Sequence, residues 1–160
     1  MDRNMFDDLR AAFREAIENF NKELNRDEVP QTVDDLIGAM KNEVADVTSQ
    51  IGALESQISR ARDRMAEERR EAKTCHRRAK IAHGIGDTET ATVAAQYAEK
   101  HEEHVRVLKN KIDALGAELI FLGEEVEEMA EKVEEAQATR HSLSVNHVRG
   151  ETPDSISTAE

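Results

Sequence analysis

Apolar residues recur along this chain in two long runs of alternating three- and four-residue steps, separated by the short break His83-Gly84-Ile85-Gly86-Asp87. The first run is Val33, Ile37, Met40, Val44, Val47, Ile51, Leu54, Ile58, Ala61, Met65, Glu68, Ala72, Cys75, Ala79, Ala82. The second is Ala91, Ala94, Ala98, His101, Val105, Leu108, Ile112, Leu115, Leu119, Leu122, Val126, Met129, Val133, Ala136, Arg140. A 3.5-residue repeat sustained this far keeps one narrow seam facing a partner helix, which is the condition for left-handed coiling. The pattern therefore predicts an all-α chain: a long antiparallel coiled-coil hairpin over residues 33–141, turning at 83–87.

The two seams agree with each other. Folding the chain back at the glycines pairs positions whose numbers add to about 170, and each seam residue then meets another. Ile51 faces Leu119, Ile58 faces Ile112, Met65 faces Val105 and Ala72 faces Ala98. Glu68, the interior polar member of the first run, falls opposite His101, the interior polar member of the second, and a polar layer is expected there. Towards the turn the seam is almost all alanine, with Cys75. Small residues let helix axes approach but bury less apolar area per layer, so the tip is the weaker part of the hairpin and the better docking surface.

Before the hairpin, residues 1–26 form a second kind of stripe. Met5, Phe6, Leu9, Ala12, Phe13, Ala16, Ile17, Phe20 and Leu24 share one face at helical spacing, and three of the four phenylalanines lie on it. Pro30 closes a linker at 27–32, and Thr32 is placed to cap the next helix, followed by Asp34 and Asp35 at its positive end. No proline interrupts residues 31–152, as two long helices require. The polar stretch 142–160 reads as a disordered tail.

Composition narrows the function. With 35% charged and 3% aromatic residues, the chain lacks the bulk for a large globular core. A net charge of −12 argues against nucleic acid as a partner. The charge is segregated: residues 60–80 carry nine Lys or Arg, among them Arg69, Arg70, Arg77 and Arg78, whereas 118–135 carry eight Glu, among them Glu124, Glu125, Glu127 and Glu128. Opposite charges offset along the chain suit staggered packing of copies into a homo-oligomer. No run of residues approaches the ~18 apolar positions of a membrane span, and Met1-Asp2-Arg3-Asn4 does not begin a secretory signal, so a cytoplasmic location is expected.

Catalytic patterns do not emerge. No phosphate-cradling glycine loop or nucleophile elbow is present, and the glycines at 84 and 86 are explained by the turn. His101 and His104 stand one turn apart with Glu68 opposite, which raises a metal site. The paired Glu-x-x-His motifs of di-iron bundles are missing, however, and His76 and His83 are poorly placed to complete a site, so a register-fixing polar layer is the expected role. No enzyme activity, metal or cofactor is expected. Cys75, among alanines on the seam, reads as a small buried side chain. The Phe face has two readings: it packs on the hairpin or on a protein partner, or Phe6, Leu9, Phe13, Ile17 and Phe20 enter a lipid interface. Five basic and six acidic residues leave residues 1–26 near neutral, so lipid binding would rest on apolar burial and on many copies acting together.

The short amphipathic first helix, the linker Asp27-Glu28-Val29-Pro30, the run Val33-Asp34-Asp35-Leu36-Ile37-Gly38-Ala39-Met40 and the alanine-rich tip from Ala79 to Ala98 together resemble the phage-shock protein A family. That family includes the vesicle-inducing proteins of plastids and belongs to the bacterial ESCRT-III-like superfamily. The resemblance covers roughly residues 1–140. It implies a peripheral protein on the cytoplasmic membrane face, a stress-response role in supporting or remodelling the membrane, and hairpins that assemble side by side. By position, Phe6, Leu9, Phe13, Ile17 and Phe20 would face lipid. The family's further C-terminal helices have no counterpart in the polar residues that end this sequence, so the chain reads as a shortened member, and polymerisation through those helices is not expected. The reading from a different class is a coiled-coil adaptor or scaffold that binds a protein partner through the Phe face.

Overall fold

A computed structural model describes residues 3–24 and 31–150, with side chains described for 11–24 and 33–146. The described residues form three helices and no strand: α1 (Arg3–Leu24), α2 (Gln31–Gly84) and α3 (Thr88–Gly150). A short helix precedes two long ones that fold as a helical hairpin. Every residue of the two seams is buried or half-buried, including the polar members Glu68, His101 and Arg140. The 3.5-residue repeat thus identified the buried side of α2 over residues 33–82 and of α3 over residues 91–140.

The chain divides into two compact units, residues 49–123 and residues 1–48 with 124–160. In the first, Leu54, Ile58, Ala61, Ala72, Cys75 and Ala82 of α2 are buried, as are Ala98 and Leu122 of α3. Ile58 and Ile112 line one groove, and Glu68 bonds His101, both in the expected register. In the second unit Val33 and Met40 of α2 are the most completely buried side chains, and Val47, Met129, Val133 and Ala136 join them. Here α1 adds Phe13, Ala16 and Phe20 to the core. Arg140, the charged end of the second seam, donates from Nε and a terminal nitrogen to the two carboxylate oxygens of Asp34 at 3.0 and 3.3 Å.

The turn between α2 and α3 is shorter than the predicted 83–87. α2 runs through Gly84, and the Gly86 backbone takes a positive φ of 80°. The Gly86 N–H donates to the His83 carbonyl at 3.2 Å and the Asp87 N–H to the Ala82 carbonyl at 2.9 Å, the paired bonds that close a helix on a left-handed residue. Asp87 then opens α3, its Oδ1 accepting the Thr90 N–H at 3.0 Å while its carbonyl accepts the Ala91 N–H at 3.1 Å. One residue thus ends the first helix's bonding and begins the next. Of the two glycines, only Gly86 needs its conformational freedom.

Two expectations on boundaries change. α1 is described over Arg3–Leu24 within the expected 1–26, and residues 1–2 and 25–26 lie outside the described residues. α2 already includes Gln31 and Thr32, assigned above to the linker, whereas 25–30 lie outside the described residues. α3 continues to Gly150, so residues 142–150 are helical and not a disordered tail; 151–160 lie outside the described residues. Serine and threonine are only weakly unfavourable in a helix, and no proline arrives before Pro153. Ser144 Oγ donates back to the His141 carbonyl at 2.7 Å, satisfying a polar side chain within the helix that composition had assigned to coil.

Two predictions follow from the turn. Gly86→Ala should destabilise the chain by about 1–2 kcal/mol, the cost of a left-handed Cβ. Gly84→Ala, where an added Cβ meets nothing within 4 Å, should be neutral or stabilise by up to about 1 kcal/mol. Urea titration of both variants checks this pair.

Hydrogen bonds from the Thr90 side chain and then its backbone N–H hold the Asp87 carboxyl below the ordinary carboxylate range, against a smaller effect of burial. A depressed folded-state pKa contributes stability above the unfolded value that is lost as pH falls through the folded one. Asp87→Ala should therefore lower the melting temperature at neutral pH. The gap to the parent chain should narrow as acid protonates Asp87, measured by thermal denaturation followed by circular dichroism.

Candidate functional site

The sequence singled out three sets of residues. The first is the apolar face of α1. Phe13 and Phe20 are buried at 6% and 4% exposure, and Ile17 is half-buried. Phe6 and Leu9 belong to α1, but their side chains lie outside the described residues. Phe13, Arg14 and Ile17 line a cleft of about 150 Å³ against Glu125, Glu128, Met129 and Lys132 of α3. Spacing of three and four residues puts Phe13, Ala16, Ile17 and Phe20 on one side of α1, and that side meets the hairpin. The cleft is apolar at Met129 and charged around its rim, so the contact combines burial with a ring of both signs. This arrangement is the packing alternative of the two readings, with the hairpin itself as the surface that covers the phenylalanines.

The second set is the polar layer between α2 and α3. His101 Nδ1 lies 2.6 Å from Glu68 Oε2, as the register requires. His104 Nδ1 reaches the same oxygen at 3.1 Å, so the pair is a triad. The Glu68 and His101 side chains are 15% and 25% exposed, whereas His104 is 58% exposed at the edge. The hydrogen bond to His101 is the main cause that holds the Glu68 carboxyl below its ordinary range. Burial opposes it, and the bond to His104 and the charges of both rings add to it. Closer to the turn on α2, His76 Nε2 and Glu102 Oε1 form a further exposed link at 2.7 Å. His104 stood beside the pair in the sequence. That it also reaches Glu68 follows from the i, i+3 neighbourhood on a helix, which a seam drawn as a single line leaves out.

The third set is the segregated charge. Arg69, Arg70, Arg77 and Arg78 are all exposed, as are Glu124, Glu127 and Glu128, while Glu125 is half-buried in the α1 cleft. These side chains therefore face solvent as expected, with Glu125 partly engaged inside the chain. Near the turn the sequence reading anticipated a docking surface but not its residues. Ile81 and Ile85 are 59% and 77% exposed, and Val93 and Tyr97 are 47% and 53% exposed. The signal for them was present as apolar residues off the seam, at i, i+4 on each side of the turn. Lys100 Nζ sits 5.2 Å from the centre of the Tyr97 ring, covering one side of it with its charge.

Among the described residues no helix is long and apolar enough to cross a membrane. No protein-family model matches the chain, and no curated protein or solved structure matches it either.

Proposed function

We propose that this chain is a non-enzymatic, self-associating hairpin protein that binds a membrane surface through α1, in the manner of the phage-shock protein A family it resembles. The observation that carries the reading is the state of the α1 apolar face. Phe13 and Phe20 form a helical stripe that must be covered, and where it meets α3 Phe13 and Ile17 border a cleft with a charged rim. Lipid offers the same side chains an equivalent apolar environment. In this reading the docked helix is a closed state, and the membrane competes with Met129 and its neighbours for the phenylalanines. Stress-linked support or remodelling of the cytoplasmic membrane face is the role that the resemblance supplies.

The second reading is an adaptor whose α1 remains a structural part of the three-helix unit and whose partner is a protein. The burial of Phe13 and Phe20 supports it directly, because a face already covered by the hairpin needs no lipid. The two readings predict opposite responses to loosening the closed state from the hairpin side.

Vesicle flotation with the full chain separates them. Phe13→Asp with Phe20→Asp should abolish flotation, whereas Met129→Ala, which removes apolar contact from the α3 side of the cleft, should increase it. Circular dichroism verifies that each variant remains helical. No flotation of the parent chain or of Met129→Ala would support the adaptor.

Charge offset along the chain supplies the self-association step, with basic residues 60–80 of one copy near acidic residues 118–135 of another. Exposed charge pairs are screened over about 8 Å at physiological salt. Particle size by light scattering should therefore fall as salt rises, and reversing Arg77 and Arg78 to Glu should lower it at low salt. A size independent of both would remove this step.

A further inference from the structure

We infer that Glu68, His101 and His104 form a binding site for a divalent transition-metal ion of the zinc class, which clamps α2 to α3. This inference stands apart from the membrane reading and needs none of it. The three residues offer one carboxylate oxygen and two ring nitrogens, and these atoms all lie within 4.8 Å of one another. Both imidazoles turn Nδ1 towards Glu68 Oε2, at 2.6 and 3.1 Å, and their planes are nearly perpendicular at 88°. Two histidines at i, i+3 on one helix and a carboxylate from the facing helix make a two-imidazole, one-carboxylate donor set, the composition of open zinc sites with a fourth position left to solvent.

Zinc bonds of about 2.0–2.1 Å in tetrahedral geometry set donor atoms about 3.3 Å apart. The carboxylate would retreat from the two rings by about 0.2–0.7 Å, and the two ring nitrogens, which lie within 4.8 Å of each other, would close by up to about 1.5 Å as the exposed His104 turns inward. Each imidazole would bind through Nδ1 as the neutral tautomer, with its Nε2–H directed outward. Glu68 and His101 are mostly buried and therefore held in place, while the more exposed His104 leaves a route for the ion.

The surroundings tolerate a cation. The adjoining groove carries Arg60, Arg64 and Arg70, but Asp63, Glu67 and Glu71 stand among them, and Glu68 adds a further carboxylate. The position also gives the ion a mechanical role. Between Glu68 and the turn, α2 seals its seam with Ala72, Cys75, Ala79 and Ala82, which bury little area. A metal bonded to both helices would supply there the cohesion that side-chain bulk supplies elsewhere.

Zinc titrated into the tag-free full chain, followed by calorimetry, should show one saturable site per chain. His104→Ala, an exposed position whose loss spares the fold, should weaken zinc by at least about 10–100-fold, because even an outer-shell partner is worth that much. Glu68→Gln should do the same, and His76→Ala should leave binding unchanged. Cobalt substituted for zinc should give the intense visible bands of a low-coordinate nitrogen and oxygen site in the parent chain and not in His104→Ala. Absence of saturable uptake, or equal uptake by the parent chain, His104→Ala and Glu68→Gln, would overturn the inference.

Discussion

The hairpin depends on the burial of one narrow seam on each of two helices. Among the described residues α2 and α3 each bury one apolar stripe, and most of the charged side chains lie on the outside. Isolated helices gain little from propensity alone, so the stability of each comes from tertiary contact along its stripe. Layers differ in what they contribute. At about 0.8 kcal/mol per buried CH2, a leucine layer exceeds an alanine layer by about 2 kcal/mol for each residue exchanged. The unit holding Val33, Met40 and Met129 is therefore cohesive by bulk, and it recruits Phe13 and Phe20 as well. Around Ala72, Cys75 and Ala98 the helices rely on close approach and on specific polar links.

That difference explains where the polar links lie. Glu68 with His101 and His104, and His76 with Glu102, bridge the helices within the alanine-rich part of the hairpin. A partly buried carboxylate is costly unless it is paired, and one pairing is satisfied in only one register. An alanine seam is permissive by itself, because small side chains interlock weakly and a slide along the helix loses little. The polar layer thus stands where apolar shape specifies alignment least, at the position a register-fixing contact would occupy.

The seam, the antiparallel register and the turn were legible in the sequence because each rests on periodicity or on a backbone requirement, and those signals are local. The facing of Glu68 and His101 came from the same arithmetic. Three features were not legible. His104 flanks the seam one turn along from His101, and its reach to Glu68 follows from an i, i+3 neighbourhood that a seam drawn as a single line leaves out. The helical state of residues 142–150 opposed their composition, since polarity predicts exposure and not the loss of backbone hydrogen bonds. The surface that covers Phe13 and Phe20 was undecided, because a helical stripe states that a face must be buried and says nothing of what buries it.

The energetics of that face decide how α1 can act. Burial of Phe13 and Phe20 is worth about 1.5–3 kcal/mol each, less the cost of ordering the helix against the hairpin. In the proposed membrane-bound state the same rings are buried again, so their apolar contribution largely cancels between the two states. What remains is the difference between the charged rim formed by Arg14, Glu128 and Lys132 and a layer of lipid headgroups, together with the number of copies acting on one surface. A small difference per chain is sufficient when many chains bind at once, because linked copies convert weak affinity into avidity. On the proposed reading, a helix of near-zero net charge docked by a few kilocalories on its own hairpin would respond to assembly: single chains would stay closed, and an array of them would cross the threshold together.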